Sequence, residues 1–181
     1  MEEYKVLITT SGIGSRLGNL TDFTNKCLVR VGDKPAISYI IESYPQNTKF
    51  VITLGHFGQY VKEFLILAYP NKDFTFVDVD KFKGKDSSLG YSILQAKPYL
   101  QCPFIFHASD TILTSEDRIP TPDTNWCAGA HKEETSQYRT LRISNNKLTY
   151  INENGELKYD YPYIGLCGIK DYKLLFDHSK N

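Results

Sequence analysis

TTSGIGSRLGNLTDFTNKCLVRVGDK, residues Thr9 to Lys34, leaves the apolar run Val6-Leu7-Ile8 without a break, and its reading decides the rest of the chain. Three apolar residues in a row, two of them β-branched, predict a short buried strand. Gly12 and Gly14 then allow a tight turn and a close approach of backbone amides to a ligand. Thr10, Ser11, Ile13 and Ser15 complete this candidate phosphate-handling loop. Arg16 adds a planar, permanently charged fork and Lys26 a mobile point charge, a pair suited to polyphosphate. A turn that merely leaves a strand is the plain alternative for two glycines. A dinucleotide-binding loop fits less well, because the third small position falls on Leu17. A Walker A loop is excluded, since no Gly-Lys-Ser/Thr closes the motif.

Composition narrows the classes. The chain has 181 residues, enough to bury one core. Its 21 Lys plus Arg balance 21 Asp plus Glu, so no basic nucleic-acid surface or polybasic membrane patch is expected. Cys27, Cys102, Cys127 and Cys167 are widely separated and form no CxxC pair, which argues for reduced, mostly buried thiols rather than a zinc site. MEEYKVLI lacks the basic start and long apolar stretch of a signal peptide, and no apolar run reaches the roughly 18 residues of a membrane span. A cytoplasmic location is expected.

Beyond the loop, Ile37, Ile40, Ile41 and Tyr44 recur at helical spacing between Pro35 and Pro45. Phe50 to Leu54 reads as a second strand, Phe57, Val61, Phe64, Leu65 and Ala68 as a second helix, and Phe74 to Val79 as a third strand. Ser87-Ser88 caps a further helix with Leu89, Ile93, Leu94 and Ala96 inward. Phe104-Ile105-Phe106 is a fully apolar strand of the kind found at a sheet centre. Alternating strands and helices predict an α/β fold: a Rossmann-like, three-layer, mainly parallel sheet. After Asp110 the pattern changes. WCAGAH, RTLRIS, KLTYIN and ELKY, separated by Asn145-Asn146 and Asn154-Gly155, predict a small antiparallel meander. Tyr163 to Ile169 is a last strand, and a helix begins near Asp171. The whole chain, 1–181, reads as a single domain.

The series Gly12, Gly14, Arg16, Leu17, Leu20, Thr21, Asn25-Lys26, Leu28 and Lys34-Pro35 resembles the signature of the sugar-phosphate nucleotidyltransferases. That superfamily includes cytidylyltransferases for phosphocholine, and its sheet resembles that of GT-A glycosyltransferases. Asn25 stands where the family usually carries proline, a change of loop stiffness with the lysine kept. The resemblance implies an NTP and a phosphorylated small-molecule acceptor as partners, pyrophosphate as the second product, and Mg²⁺ as cofactor. It implies catalytic roles for Arg16 and Lys26. Gly55, with His56, matches a turn near the base or ribose, although a surface turn explains both. Ser88, Leu89 and Gly90 match the base-reading turn, although a helix cap explains them equally. The stretch from Lys81 to Ser88 tilts the resemblance toward CTP. Lys132 and the EETSQYR stretch after it fall where the family contacts its acceptor.

Asp110 follows the fourth apolar strand, at the edge where open α/β sheets bind ligands. A carboxylate there suits Mg²⁺ against triphosphate oxygens, and its position matches the family's metal-binding Asp, with Ser109 in place of the usual glycine. Taken alone, an Asp at a strand end is also a common turn residue. The family's second metal carboxylate has no clear counterpart; Asp171 and Asp177 are the available acids, and a chain shorter than the family's catalytic domains suggests a module of a longer protein. Two other readings stay open: a nucleotide-binding or regulatory domain without catalysis, and a glycosyltransferase using Mn²⁺ at the Asp78-Val79-Asp80 triplet. His107, His131 and His178 have no metal-ligand spacing and are expected in packing or surface roles.

Overall fold

The computed structural model describes residues 3–114, 116–131, 136–152 and 159–178. In chain order these form β1 (Lys5–Thr9), the short strands β2 (Arg30–Val31) and β3 (Lys34–Pro35), α1 (Ala36–Glu42), β4 (Lys49–Leu54), α2 (Gly58–Ala68) and β5 (Asp73–Asp78). Then come α3 (Leu89–Ala96), β6 (Phe104–Ala108), β7 (Trp126–Gly129), β8 (Thr140–Ser144), β9 (Lys147–Asn152), β10 (Tyr161–Ile169) and α4 (Tyr172–His178).

The main sheet runs β5-β4-β1-β6-β10-β8-β9, with β7 paired to β10. β1, β4, β5 and β6 are mutually parallel, with Val6 level with Phe50 on one side and Ile105 on the other. β10 is antiparallel to β6, so the direction reverses in mid-sheet. The central strands are apolar on both faces because helices cover both faces. Val6, Ile8, Phe50, Ile52 and Ile105 pack with Ile37, Ile40, Ile41, Val61 and Leu65 on one side. Leu7, Val51, Val77, Phe104 and Phe106 pack with Ala96, Leu100 and Phe176 on the other. Each fully buried Val, Leu, Ile or Phe side chain among them contributes about 1.5–3 kcal/mol. The expected three-layer, mainly parallel sheet with a small antiparallel addition is therefore observed.

Local chemistry explains the borders. Ser88 accepts a hydrogen bond from the Tyr91 amide at 3.0 Å and starts α3. Asn145 and Asn146 both take positive φ, 51° and 59°, which closes the β8–β9 hairpin with the twist that antiparallel strands require. Two inward assignments are corrected. Leu89 is 52 % exposed, because α3 turns Ser92 and Ala96 to the core instead. Ala68 is exposed at the end of α2, where Val61 and Leu65 carry the burial. The Asn154-Gly155 turn and most of ELKY lie outside the described residues. No helix among the described residues is long and apolar enough to cross a membrane.

Candidate active site

The carboxyl ends of β1, β4 and β6 lie side by side, so the segments that leave them share one edge of the sheet. From β1 come Thr10 and the glycine loop; from β4 come Gly55 and His56; from β6 come Ser109 and Asp110.

Thr10 and Ser11 are buried at the root of the loop. Thr10 donates its amide at 3.2 Å and its hydroxyl at 2.6 Å to the Thr53 carbonyl, which continues the β1–β4 pairing past the strand end. The Ser11 carbonyl accepts from the His56 amide at 3.0 Å. That contact requires Gly55: a Cβ there would lie 2.5 Å from the Ser11 carbonyl oxygen and 2.7 Å from the Phe82 Cβ. The Ser11 and Ser92 hydroxyls are 2.8 Å apart, and the Ser92 hydroxyl donates at 3.3 Å to the Ser88 carbonyl. A hydrogen-bonded path thus joins the glycine loop to the turn that opens α3.

The two glycines of the loop differ. A Cβ on Gly12 would meet nothing within 4 Å, so this residue leaves open space above the loop. Gly14 has φ +70°, and a Cβ on it would lie 2.9 Å from the Lys26 Cβ. Glycine is therefore required by the fold at Gly14, whereas at Gly12 the fold leaves room for a side chain. Beyond Gly14, Ser15–Thr21 winds into two short 3-10 turns broken at Gly18, whose φ and ψ of 53° and −135° suit glycine alone.

Asn25 fastens the far end of the loop. It is fully buried, and its side-chain amide donates to the Thr10 carbonyl at 2.7 Å and to the His56 carbonyl at 2.6 Å. Its Oδ1 accepts from the Cys27 amide at 3.0 Å. One side chain ties the segments after β1 and β4 to the turn that carries Lys26. Its φ of −75° lies within proline's range, so the backbone would accept the proline that the resemblance expects here, while the asparagine side chain adds a clamp. The substitution is more than a change of stiffness.

Lys26 and Asp110 meet across the site at 3.2 Å, with 22 % and 62 % of their side chains exposed. Arg16 is exposed and, among the described residues, forms no ion pair. Ile13 and Ser15 are exposed on the glycine loop, and Leu89 and Gly90 are exposed in the first turn of α3. The structure thus draws Thr10, Ser11, Gly55, Ser88, Lys26 and Asp110 into one bonded or packed set. It leaves Gly12, Arg16, Leu89 and Gly90 facing open space or solvent. Lys132 lies outside the described residues, as does Glu133 to Thr135.

Among the described residues no group of three His, Cys, Asp or Glu is arranged around a metal position. The donor set nevertheless fits Mg²⁺, which is commonly held by one or two carboxylates with the remaining positions taken by water and substrate phosphates. Asp110 offers an accessible carboxylate of that type. Asp80 is otherwise engaged, accepting from the Tyr91 hydroxyl at 2.6 Å and the Lys81 amide at 2.9 Å. The Tyr91 hydroxyl holds its carboxyl below the usual range.

His107 sits under Asp110 in the core. Its Nε2 is 2.9 Å from the Thr111 carbonyl and must donate to it, so Nδ1 is the acceptor for the Tyr44 hydroxyl at 2.8 Å. Burial holds its pKa below the ordinary histidine value, and the ring is a neutral pillar of the Asp110 turn.

Two residues of this arrangement, Asn25 and Ser92, have roles that sequence reasoning missed. Asn25 had a signal in standing where the resemblance expects proline. Ser92 had one in its spacing of four from Ser88, which places its hydroxyl over the first-turn carbonyl.

Solved structures share this architecture. A UDP-glucose pyrophosphorylase in complex with UDP-glucose superposes with a TM-score of 0.80 at 18 % identity, over 99 % of this chain and 80 % of that one. A putative glucose-1-phosphate thymidylyltransferase from Bacillus anthracis gives 0.74 at 20 % identity, over 98 % and 76 %. The CTP:phosphocholine cytidylyltransferase of Streptococcus pneumoniae gives 0.73 at 20 % identity, over 98 % and 76 %. No family profile and no curated protein sequence matches the chain. The fold is that of the sugar-phosphate nucleotidyltransferases, as the loop signature implied.

Proposed function

We propose that the chain transfers a nucleotidyl group from an NTP to a sugar phosphate or another phosphorylated small alcohol, releasing pyrophosphate. The observation that carries the reading is the Lys26–Asp110 pair, 3.2 Å apart at the sheet edge beside an accessible glycine loop. The fold neighbours named for UDP-glucose, glucose 1-phosphate and phosphocholine support the reaction class.

An acceptor phosphate oxygen attacks the α-phosphorus in line, forming one P–O bond as the bond to pyrophosphate breaks. Both nucleophile and leaving group are anions at neutral pH, so the work is positioning and charge neutralisation, with little acid–base chemistry. Amides of the loop from Ser11 to Ser15 receive the triphosphate over the space left by Gly12. Arg16 balances the charge that develops on pyrophosphate. Lys26, held by Asn25, brings the acceptor phosphate toward the α-phosphate. Asp110 would hold Mg²⁺, which when bound supplies positive charge to the phosphate oxygens. Ser88, Leu89 and Gly90, with Gly55, flank the base. We assign the reaction to the cytoplasm and favour CTP, from the Lys81–Ser88 stretch, for a precursor of polysaccharide or cell-surface material.

A pyrophosphate-release assay with Mg²⁺, each NTP and a panel of sugar 1-phosphates and phosphorylated alcohols tests this. Release that requires one NTP and one acceptor is the expected result. Nucleotide binding without release for any pair would replace the reading with a binding module. Transfer from a ready-made sugar nucleotide without pyrophosphate would replace it with a glycosyltransferase.

A further inference from the structure

A cavity of about 990 Å³ opens on the α4 side of the antiparallel strands, away from the glycine loop. Leu141, Ile143, Leu148 and Leu174 line it, and Cys127 and Cys167 share its wall. The two cysteines are directly opposed in the β7–β10 pairing. Opposed residues of antiparallel strands have Cα atoms about 4.5–5.5 Å apart, within the roughly 4.4–6.8 Å that a disulfide spans. Because opposed side chains leave the same face, the two thiols share the cavity wall on one side of the sheet. The Tyr163 hydroxyl adds a donor to the Cys167 sulfur at 3.5 Å. Both thiols are only partly buried, in contrast to the expectation of mostly buried cysteines that Cys27 alone meets in full.

We propose that Cys127 and Cys167 form a peroxide-oxidisable dithiol, a modification site independent of the transferase reading. The two sulfurs differ in character. The hydrogen bond from Cys167 holds the Cys127 thiol below its ordinary value, and Cys167, bound to that neighbour and more deeply buried, keeps its proton. Cys27 is disqualified, since burial pushes its thiol up to about 12. Burial also raises Cys102, which has no opposed cysteine.

The Cys127 thiolate attacks one oxygen of hydrogen peroxide, the O–O bond breaks, and a sulfenic acid and hydroxide form. The Cys167 sulfur then attacks the sulfenic sulfur, the S–S bond forms, and the hydroxyl leaves as water with the Cys167 proton. Two thiols and one peroxide become one disulfide and two waters, with two electrons passing from sulfur to oxygen.

The test treats the whole chain with hydrogen peroxide, then alkylates it in denaturant and maps peptides by mass. The expected result is protection of two of the four cysteines, with Cys127 cross-linked to Cys167 and the link undone by dithiothreitol. Cys167→Ser is expected to stop at a Cys127 sulfenic acid that dimedone traps, and Cys102→Ser to keep the link. Four alkylatable thiols at every peroxide dose, or a link that uses Cys27 or Cys102, would overturn the proposal whatever the activity assay shows.

Discussion

The parallel half of the sheet, β5-β4-β1-β6, and the antiparallel half, β7 to β10, are built to different rules from adjacent stretches of one chain. In the parallel half helices cover both faces, and the interior strands are buried almost end to end: β1, β4 and β6 each have one half-buried end position and no exposed one. In the antiparallel half the hairpin leaves Ile143, Leu148, Tyr150 and Ile151 each about two-fifths or more exposed. The first half uses its burial to hold loops rigidly at one edge, and those loops carry the charged groups. The second half closes the sheet and shapes a cavity. The parallel strands thus end in loops that share one edge, while the hairpin of the antiparallel half presents apolar surface.

If that division is right, changes at the parallel edge alter rate with little effect on stability, and changes in the antiparallel half do the reverse. The largest effect is expected for Lys26→Ala and Asp110→Ala. Each should lower turnover about 10²-fold or more, as loss of a charge-stabilising group does. Their pairing is exposed and contributes no more than about 1 kcal/mol, so the melting temperature should hold. Normal turnover by both variants in the pyrophosphate assay would move the chemistry elsewhere.

Asn25→Ala crosses the division. It strands two carbonyls and an amide in the core, and about 1–3 kcal/mol of stability should be lost by denaturant titration. Asn25→Pro keeps the backbone angle but loses the clamp. Turnover in Asn25→Pro equal to the parent's would show that backbone shape alone positions Lys26.

Gly168→Ala probes the other half. The new Cβ would lie 2.1 Å from the Trp126 Nε1, forcing the indole aside at about 1–3 kcal/mol, with turnover unchanged. A fall in turnover larger than the fall in stability would show that the two halves are coupled. Gly12→Ala supplies the converse, with unchanged stability over the open space and a raised KM for the nucleotide.

His107 gives the smallest effect. Its folded pKa lies below its unfolded value, so the unfolded chain takes up a proton first as pH falls. Its contribution is complete above about 6.5, the unfolded histidine value, and declines as pH drops below it. His107→Gln should flatten that slope in melting curves taken across the range, and an unchanged slope would assign it to other groups.

The sequence by itself determined the parallel core and the loop. Runs such as Val6-Leu7-Ile8 and Phe104-Ile105-Phe106 have one stable place, in a sheet covered on both faces, and the residue types of Gly12, Gly14, Arg16, Lys26 and Asp110 are what made them the proposed site. Asn145-Asn146 announced its hairpin for the same reason, because few residues accept that backbone. Only the tertiary structure decided which distant groups meet. Lys26 and Asp110 are 84 residues apart, Ser11 and Ser92 are 81 apart, and Cys127 and Cys167 face each other only because β7 and β10 pair in that register. It likewise turned Leu89 outward, against the inward place that helical spacing predicted, and drew Asn25 inward. Local propensity acts over a few neighbouring residues, whereas these contacts follow from strand order and register, which the burial of the whole sheet selects.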